Sequence, residues 1–266
     1  MARPRQPPRW LQAARQRASP EEGDDWLSRA LSRAGVAPLA EAEHLIHSGR
    51  VTVDGKVVRQ PLAPVKAAAC VEVDGQRVDV RPTTRVLMFH KPKGLVTAAS
   101  DAEGEGTVFE ALLRVLPAGL QRFGWHAVGR LDRDTTGLLL FTNDERFVAH
   151  ATRPETHLPK RYVAKVGAAV TEDKLARLRR GVEVEKGVTS RPAEARAREK
   201  DVVELTLTEG RYHQVKRMLN AVGLPTLSLH REAVGGLTLD VMEGAFREVT
   251  DAEVRDALSY TPRQHA

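Results

Sequence analysis

Gly129-Arg130-Leu131-Asp132-Arg133-Asp134-Thr135-Thr136-Gly137 is the densest polar stretch of the chain, and it runs straight into the apolar Leu138-Leu139-Leu140-Phe141. A polar loop followed by a short apolar run reads as a loop feeding a buried strand over 138–142. Two carboxylates two residues apart, beside two arginines, have perturbed proton affinities if partly buried. A neighbouring arginine keeps an aspartate ionised, which suits a nucleophile or a base. The same residues also fit a plain polar loop in which Asp caps a turn and Arg pairs with it. The pattern alone leaves both readings open.

Downstream and upstream of that loop, strand-like segments lie at 86–89, 162–166, 202–207 and 237–239. Helix-like segments lie at 108–116, 175–180, 213–222 and 252–258. They follow one another without βαβα alternation, so the region 85–262 reads as an α+β domain with a mixed, largely antiparallel sheet flanked by helices. Residues 82–85 read as a linker. Residues 24–81 form a smaller α+β unit. Asp24 or Asp25 would cap a helix carrying Trp26, Leu27, Ala30 and Leu31, closed by Gly35. A second helix, from about Pro38, carries Leu39, Ala42, Leu45 and Ile46 and ends at Gly49. Asp54-Gly55 and Asp74-Gly75 between valine-rich runs are hairpin signals.

The chain has 266 residues, with 41 Lys and Arg against 35 Asp and Glu, a net charge of +6. Arg3, Arg5, Arg9, Arg15 and Arg17 supply most of that excess from the first twenty residues, where there is no acid. Residues 1–23 therefore read as a disordered basic arm. The unit that follows is slightly acidic, with eight basic and ten acidic side chains over 21–84. If the protein contacts a polyanion, the arm is expected to supply part of the grip on it. A single cysteine, Cys70, excludes a disulfide framework or a Cys-rich zinc site, and after three alanines it reads as a small buried filler. No apolar run approaches the roughly 20 residues that span a bilayer, and no apolar leader is present, so the chain reads as cytoplasmic, with no membrane partner.

Two further segments could carry chemistry. In Lys160-Arg161-Tyr162-Val163-Ala164-Lys165-Val166, strand alternation puts Tyr162 on one face, where it either stacks on a base or packs in the core. In Glu209-Gly210-Arg211-Tyr212-His213-Gln214-Val215-Lys216-Arg217-Met218, several cations crowd the start of a helix. They oppose the helix dipole there, so a phosphate or a carboxylate is expected to balance them. His213 has no companions at metal-ligand spacing, and neither a phosphate-binding glycine loop nor a dinucleotide fingerprint is present. Asp132-Arg133-Asp134-Thr135 also fits the Asp-x-Asp-x-Thr loop of magnesium-dependent aspartate-nucleophile phosphatases. That reading lacks the downstream acidic cluster.

The Gly129–Asp132 segment with its Asp-Thr-Thr-Gly continuation resembles the signature of pseudouridine synthases. Within them the chain resembles the ribosomal small-subunit branch. His90-Lys91-Pro92-Lys93-Gly94, Lys160-Arg161-Tyr162, Glu209 to Met218, and Leu229-His230-Arg231-Glu232 through Leu239-Asp240 match in order, over about residues 86–260. The preceding unit is similar to an αL, S-four-type RNA-binding module, best over Arg33–Gly35 through Leu45-Ile46 and Gly49–Gly55; Pro38-Leu39 departs from that module's usual Ser-Arg entry. The resemblance implies isomerisation of a uridine in ribosomal RNA, or in a ribosomal assembly intermediate, by a monomer that needs neither metal nor organic cofactor. The uridine is flipped out, and Asp132 attacks the sugar or takes a sugar proton as the N-glycosidic bond breaks. The uracil then turns and rejoins through carbon five. Tyr162 would lie against the base, and Lys216 would ion-pair the aspartate, with Arg217 as the neighbouring alternative. Arg130 would hold the flipped nucleotide or fill its vacancy. Arg133, Arg211, His213, Gln214 and Arg217 complete the implied substrate-binding set. The alternative that the N-terminal module supports is a non-enzymatic RNA-binding or ribosome-assembly protein.

Overall fold

The computed structural model describes residues 25–262 except 67, 81, 82, 99, 100, 102, 103 and 105. The arginine arm therefore lies outside the described residues. Two compact units emerge. One comprises residues 25–83 with Ala118–Gly124, the other Thr84–Pro117 with Trp125–Pro262.

In the first unit, helices α1 (Leu27–Arg33) and α2 (Leu39–His47) precede strands β1 (Val51–Val53), β2 (Lys56–Val57), β3 (Val71–Val73) and β4 (Gln76–Val78). The strands form an antiparallel sheet in the order β2-β1-β3-β4. Both Asp-Gly turns have positive φ at each central residue, as a primed hairpin turn requires. Leu27, Leu31, Ala42 and Ile46 pack on Val51 and Val71. Asp25 does not cap α1, because the helix begins only at Leu27 with Trp26 at the cap position. Its carboxylate instead accepts from the Trp26 N–H at 2.8 Å and pairs with Arg33. Gly35 closes the helix with φ 71°, and a Cβ there would lie 2.8 Å from the Phe123 ring. Cys70 is half-exposed rather than a core filler: the strand-end position leaves it outside the valine layer, and its N–H donates to Asp54 at 2.9 Å.

The second unit is built on β5 (Val86–Lys91), α3 (Val108–Val115), β6 (His126–Val128), β7 (Thr135–Thr142), α4 (Glu145–Thr152) and β8 (Lys160–Val166). It continues through α5 (Glu172–Arg180), the hairpin β9 (Glu183–Glu185) and β10 (Val188–Thr189), β11 (Glu194–Glu199) and β12 (Val202–Leu207). Helix α6 (Gln214–Ala221), β13 (Thr226–Val234), β14 (Leu237–Thr238), β15 (Phe246–Val249) and α7 (Asp251–Leu258) complete it. Nine strands form one mixed sheet in the order β11-β12-β8-β13-β7-β5-β15, with β14 on β13 and β6 on β7. All its pairings are antiparallel except β7 with β13. One face carries a core of Ala164, Leu175, Leu178, Leu205, Met218 and Leu229, under α5 and α6. The other carries Met88, Leu138, Leu140, Phe147, Val254 and Leu258, under α4 and α7.

Strand β13 sits at the centre of this sheet, although its Thr-Leu-Ser-Leu-His-Arg-Glu-Ala-Val sequence gives no strand signal. It is polar on both faces, with Arg231 to one side and His230 and Glu232 to the other. Helix α6 starts at Gln214 rather than His213. His213 takes the left-handed conformation, φ 52°, at its cap. Among the described residues, no helix is long and apolar enough to cross a membrane.

Candidate active site

Asp132 lies in the loop between β6 and β7, the segment 129–134 of the opening motif. The segment after β5 pins this loop. The Gly94 N–H donates to Arg133 O at 2.8 Å, and the Thr97 hydroxyl donates to Leu131 O at 2.9 Å. Lys91, fully buried at the end of β5, donates its ammonium to Pro92 O (3.0 Å), Arg133 O (3.2 Å) and Thr135 O (2.9 Å). Burial pushes this lysine down to about 8, against the upward pull of Asp134 and Asp132. Gly137 follows, with φ 108° and room for no side chain: a Cβ would stand 2.3 Å from Arg231 O. Glycine thus lets β7 and β13 close up directly beneath the loop.

Helix α6 brings its first turn against this carboxylate. Lys216 Nζ lies 3.2 Å from Asp132 Oδ2 and 2.5 Å from Asp134 Oδ1. His213 Nε2 lies 3.4 Å from Asp132 Oδ1, so the two carboxylate oxygens face different partners. Partial burial pushes Asp134 up, but the hydrogen bond and charge of Lys216 outweigh it and hold it below the ordinary carboxylate range. Burial alone would lower Lys216, yet its two aspartate partners raise it. The carboxylate expected to balance the crowded helix start is thus present, and it comes from the loop before β7.

Tyr162 on β8 meets Asp132, His213 and Lys216 around a niche of about 60 Å³, walled by Leu207, Val215 and Leu229. This niche adjoins a cleft of about 770 Å³ lined by Arg130, Asp132, Arg153, Lys160, Tyr162, Arg191, Arg211, Tyr212, His213 and Arg231 among others. Arg130 reaches both cavities and is exposed. Arg211 lies 3.5 Å from Glu209 through Nε, and Gln214 is buried, bonded at its two amide ends to the Arg211 N–H and Glu209. Neither arginine of the loop is the partner of Asp132. Arg133 turns to Asp101 at 3.1 Å, and the ion pair comes from Lys216 of α6 instead. Arg217 does not take that place either: one residue further round the helix, it pairs with Glu185 at 3.0 Å and lies over Tyr212.

Several residues of the site carry no signal in isolation. Tyr212 is 68 % exposed and stacks on His213 with ring centroids 3.8 Å apart. Lys160, Arg153 and Arg191 come from three separate segments, a strand start, a helix end and a loop, and converge only in the folded domain. Lys91 belonged to a quoted motif, yet nothing in its spacing says that it is buried under the loop. A divalent ion between Asp132 and Asp134, as the phosphatase reading requires, would have to displace the ammonium of Lys216 that occupies that position.

Comparison with known proteins follows the same lines. The model of the RNA pseudouridylate synthase family matches residues 85–221, and that of the S4 domain matches residues 25–69. The chain is 36% identical over 236 residues to ribosomal large subunit pseudouridine synthase B of Bacillus subtilis, covering 86% of this chain and 93% of the relative. It is 38% identical over 213 residues to ribosomal small subunit pseudouridine synthase A of Escherichia coli, covering 79% and 89%. A crystal structure of a pseudouridylate synthase superposes with a TM-score of 0.61 at 27% identity, covering 87% of this chain and 99% of that one. The fold and the aspartate-centred cleft define an RNA-modifying isomerase. The chain belongs to the RNA pseudouridylate synthase family and carries an S4 domain at its N-terminal side.

Proposed function

We propose that this enzyme isomerises a uridine of ribosomal RNA to pseudouridine, with Asp132 as the reacting carboxylate. The observation that carries the reading is the grip on Asp132: Lys216 on one oxygen and His213 facing the other, at the mouth of a niche that Tyr162 walls. The Lys216 ammonium stands 3.2 Å from that carboxylate and fixes the oxygen it faces for the first step. The bond between the sugar and uracil nitrogen one breaks, and a bond from carbon five to the same sugar carbon forms. Carbon five loses its proton and nitrogen one gains one, so the reaction is balanced without water or electrons. Tyr162 lies against the base and assists removal of the carbon-five proton. Lys216 pairs with Asp132 and orients it.

The relatives divide between small-subunit and large-subunit enzymes at nearly equal identity. The Gly210-Arg211-Tyr212-His213-Gln214-Val215-Lys216-Arg217-Met218 segment supports the small-subunit substrate. The protein is proposed to act in the cytoplasm as a monomer, on ribosomal RNA or an assembly intermediate. The test is chemical mapping of pseudouridine in both ribosomal RNAs from cells with and without the protein. One small-subunit uridine is expected to lose its signal in the deletion strain. A signal lost from the large subunit would move the substrate and keep the chemistry; no lost signal would overturn the reading.

A further inference from the structure

Lys160 and Arg231 are neighbours on adjacent strands of the active-site face. In the register, Arg231 of β13 stands opposite Tyr162 of β8, and Lys160 is two residues before Tyr162, on the same side of the sheet. Both line the 770 Å³ cleft that contains Asp132, and neither lines the smaller niche beside Tyr162. Arg231 is 4% exposed, and its single side-chain hydrogen bond among the described residues runs from Nε to Leu138 O at 2.7 Å. The Lys160 ammonium makes no hydrogen bond or ion pair among the described residues. Burial first, and the charge of Arg231 second, hold it below the ordinary lysine range, and no carboxylate offsets them. Two adjacent, largely desolvated cations without an acid repel each other and lose hydration. A protein keeps such a pair where an anion is to be received.

We propose that Lys160 and Arg231 form an anion subsite that takes the phosphodiester next to the flipped uridine. The proposal rests on the reading of the cleft as an RNA site. The phosphate is favoured over the base by position. Leu207, Val215 and Leu229 wall the niche with Asp132 and Tyr162, which suits a flat base, while the two cations open only on the wider cleft. Exposed Arg130, Arg153 and Arg191 continue along that cleft, as a backbone track requires.

The test uses the full-length protein and a ribosomal RNA fragment containing the mapped uridine. Lys160→Met should leave thermal stability unchanged or raised, because it removes an unpaired charge; a merely structural lysine would lower it. RNA affinity should fall about tenfold at low salt, as expected for one charge-assisted contact. The slope of log affinity against log salt should shrink by about 0.7 to 0.9, one phosphate contact. Lys160→Arg should restore both. A methylphosphonate at the phosphate next to the uridine should weaken binding to the wild type and cause no further loss in Lys160→Met. An unchanged salt slope overturns the subsite, as does a fall in kcat at unchanged RNA affinity, which would place the cations on the base. If wild-type protein forms no pseudouridine in the same fragment, the RNA-modification reading itself fails; if it does and the slope is unaltered, the subsite alone fails.

Discussion

The two faces of the nine-stranded sheet each carry a cluster of charge, built in opposite ways. On one face, Arg161, Arg196 and Arg198 meet Glu204 and Glu232. Arg198 bonds both glutamates, Arg196 lies 2.8 Å from Glu204, and Arg161 lies 3.4 Å from Glu232. Burial pushes Glu204 up, but Arg196 and Arg198 outweigh it and hold it low. Every cation there has its acid. On the other face, the cleft around Asp132 gathers more cations than acids, and Lys160, Arg130 and Arg153 have no acidic partner among the described residues. A balanced network fixes strands to one another, whereas an unbalanced one is left open for a polyanion. Net charge shows neither, because the basic excess of the whole chain sits mainly in the arginine arm.

After Asp132 itself, the largest expected effect lies at Lys216. Lys216→Met should cut kcat by about 10²- to 10³-fold, the size seen on losing one preorganised electrostatic group, with RNA affinity nearly unchanged. A loss of less than tenfold, measured by single-turnover kinetics, would break the link between α6 and the aspartate.

Next comes Lys91, which holds the loop rather than the substrate. Lys91→Met should lower kcat by up to about 100-fold through misplacement of Asp132. It also has a pH signature. The folded-state value of about 8 lies below that of an unfolded lysine, about 10.4, so between these pH values the unfolded chain binds more protons. The contribution of Lys91 to stability therefore rises with pH across that window. Urea unfolding from pH 7 to 10 should show this rise in the wild type and not in Lys91→Met; equal slopes would contradict the burial of a charged lysine.

The smallest effect belongs to the balanced face. Glu204→Gln should cost about 1 kcal/mol of stability, as for a partly exposed ion network, and leave pseudouridine formation unaltered. A change in turnover would mean that this face, too, meets RNA.

Much of the candidate site is legible in the sequence. The loop 129–137, the strand it feeds, Tyr162 on the strand and Lys216 on the helix all stand in short segments whose residue types announce them. The parts that were not legible depend on long-range convergence. Asp132 finds its cation on α6, some eighty residues away, and not in Arg133, which turns to Asp101, or in Arg130, which lines the cleft exposed. Strand β13 hides because a central strand that serves a charged site on one face and an ion network on the other has no apolar alternation to display. Lys160 gains its meaning only from Arg231, which the pairing of β8 with β13 sets beside it.

The central claim is that Asp132 carries out the isomerisation in this cleft. Its most direct test is site-resolved pseudouridine mapping of ribosomal RNA after incubation with wild-type protein and with Asp132→Asn, which keeps size and changes only the charge. The account predicts a single converted uridine with the wild type and none with Asp132→Asn, while RNA binding persists. Conversion by Asp132→Asn at a rate close to wild type would contradict it.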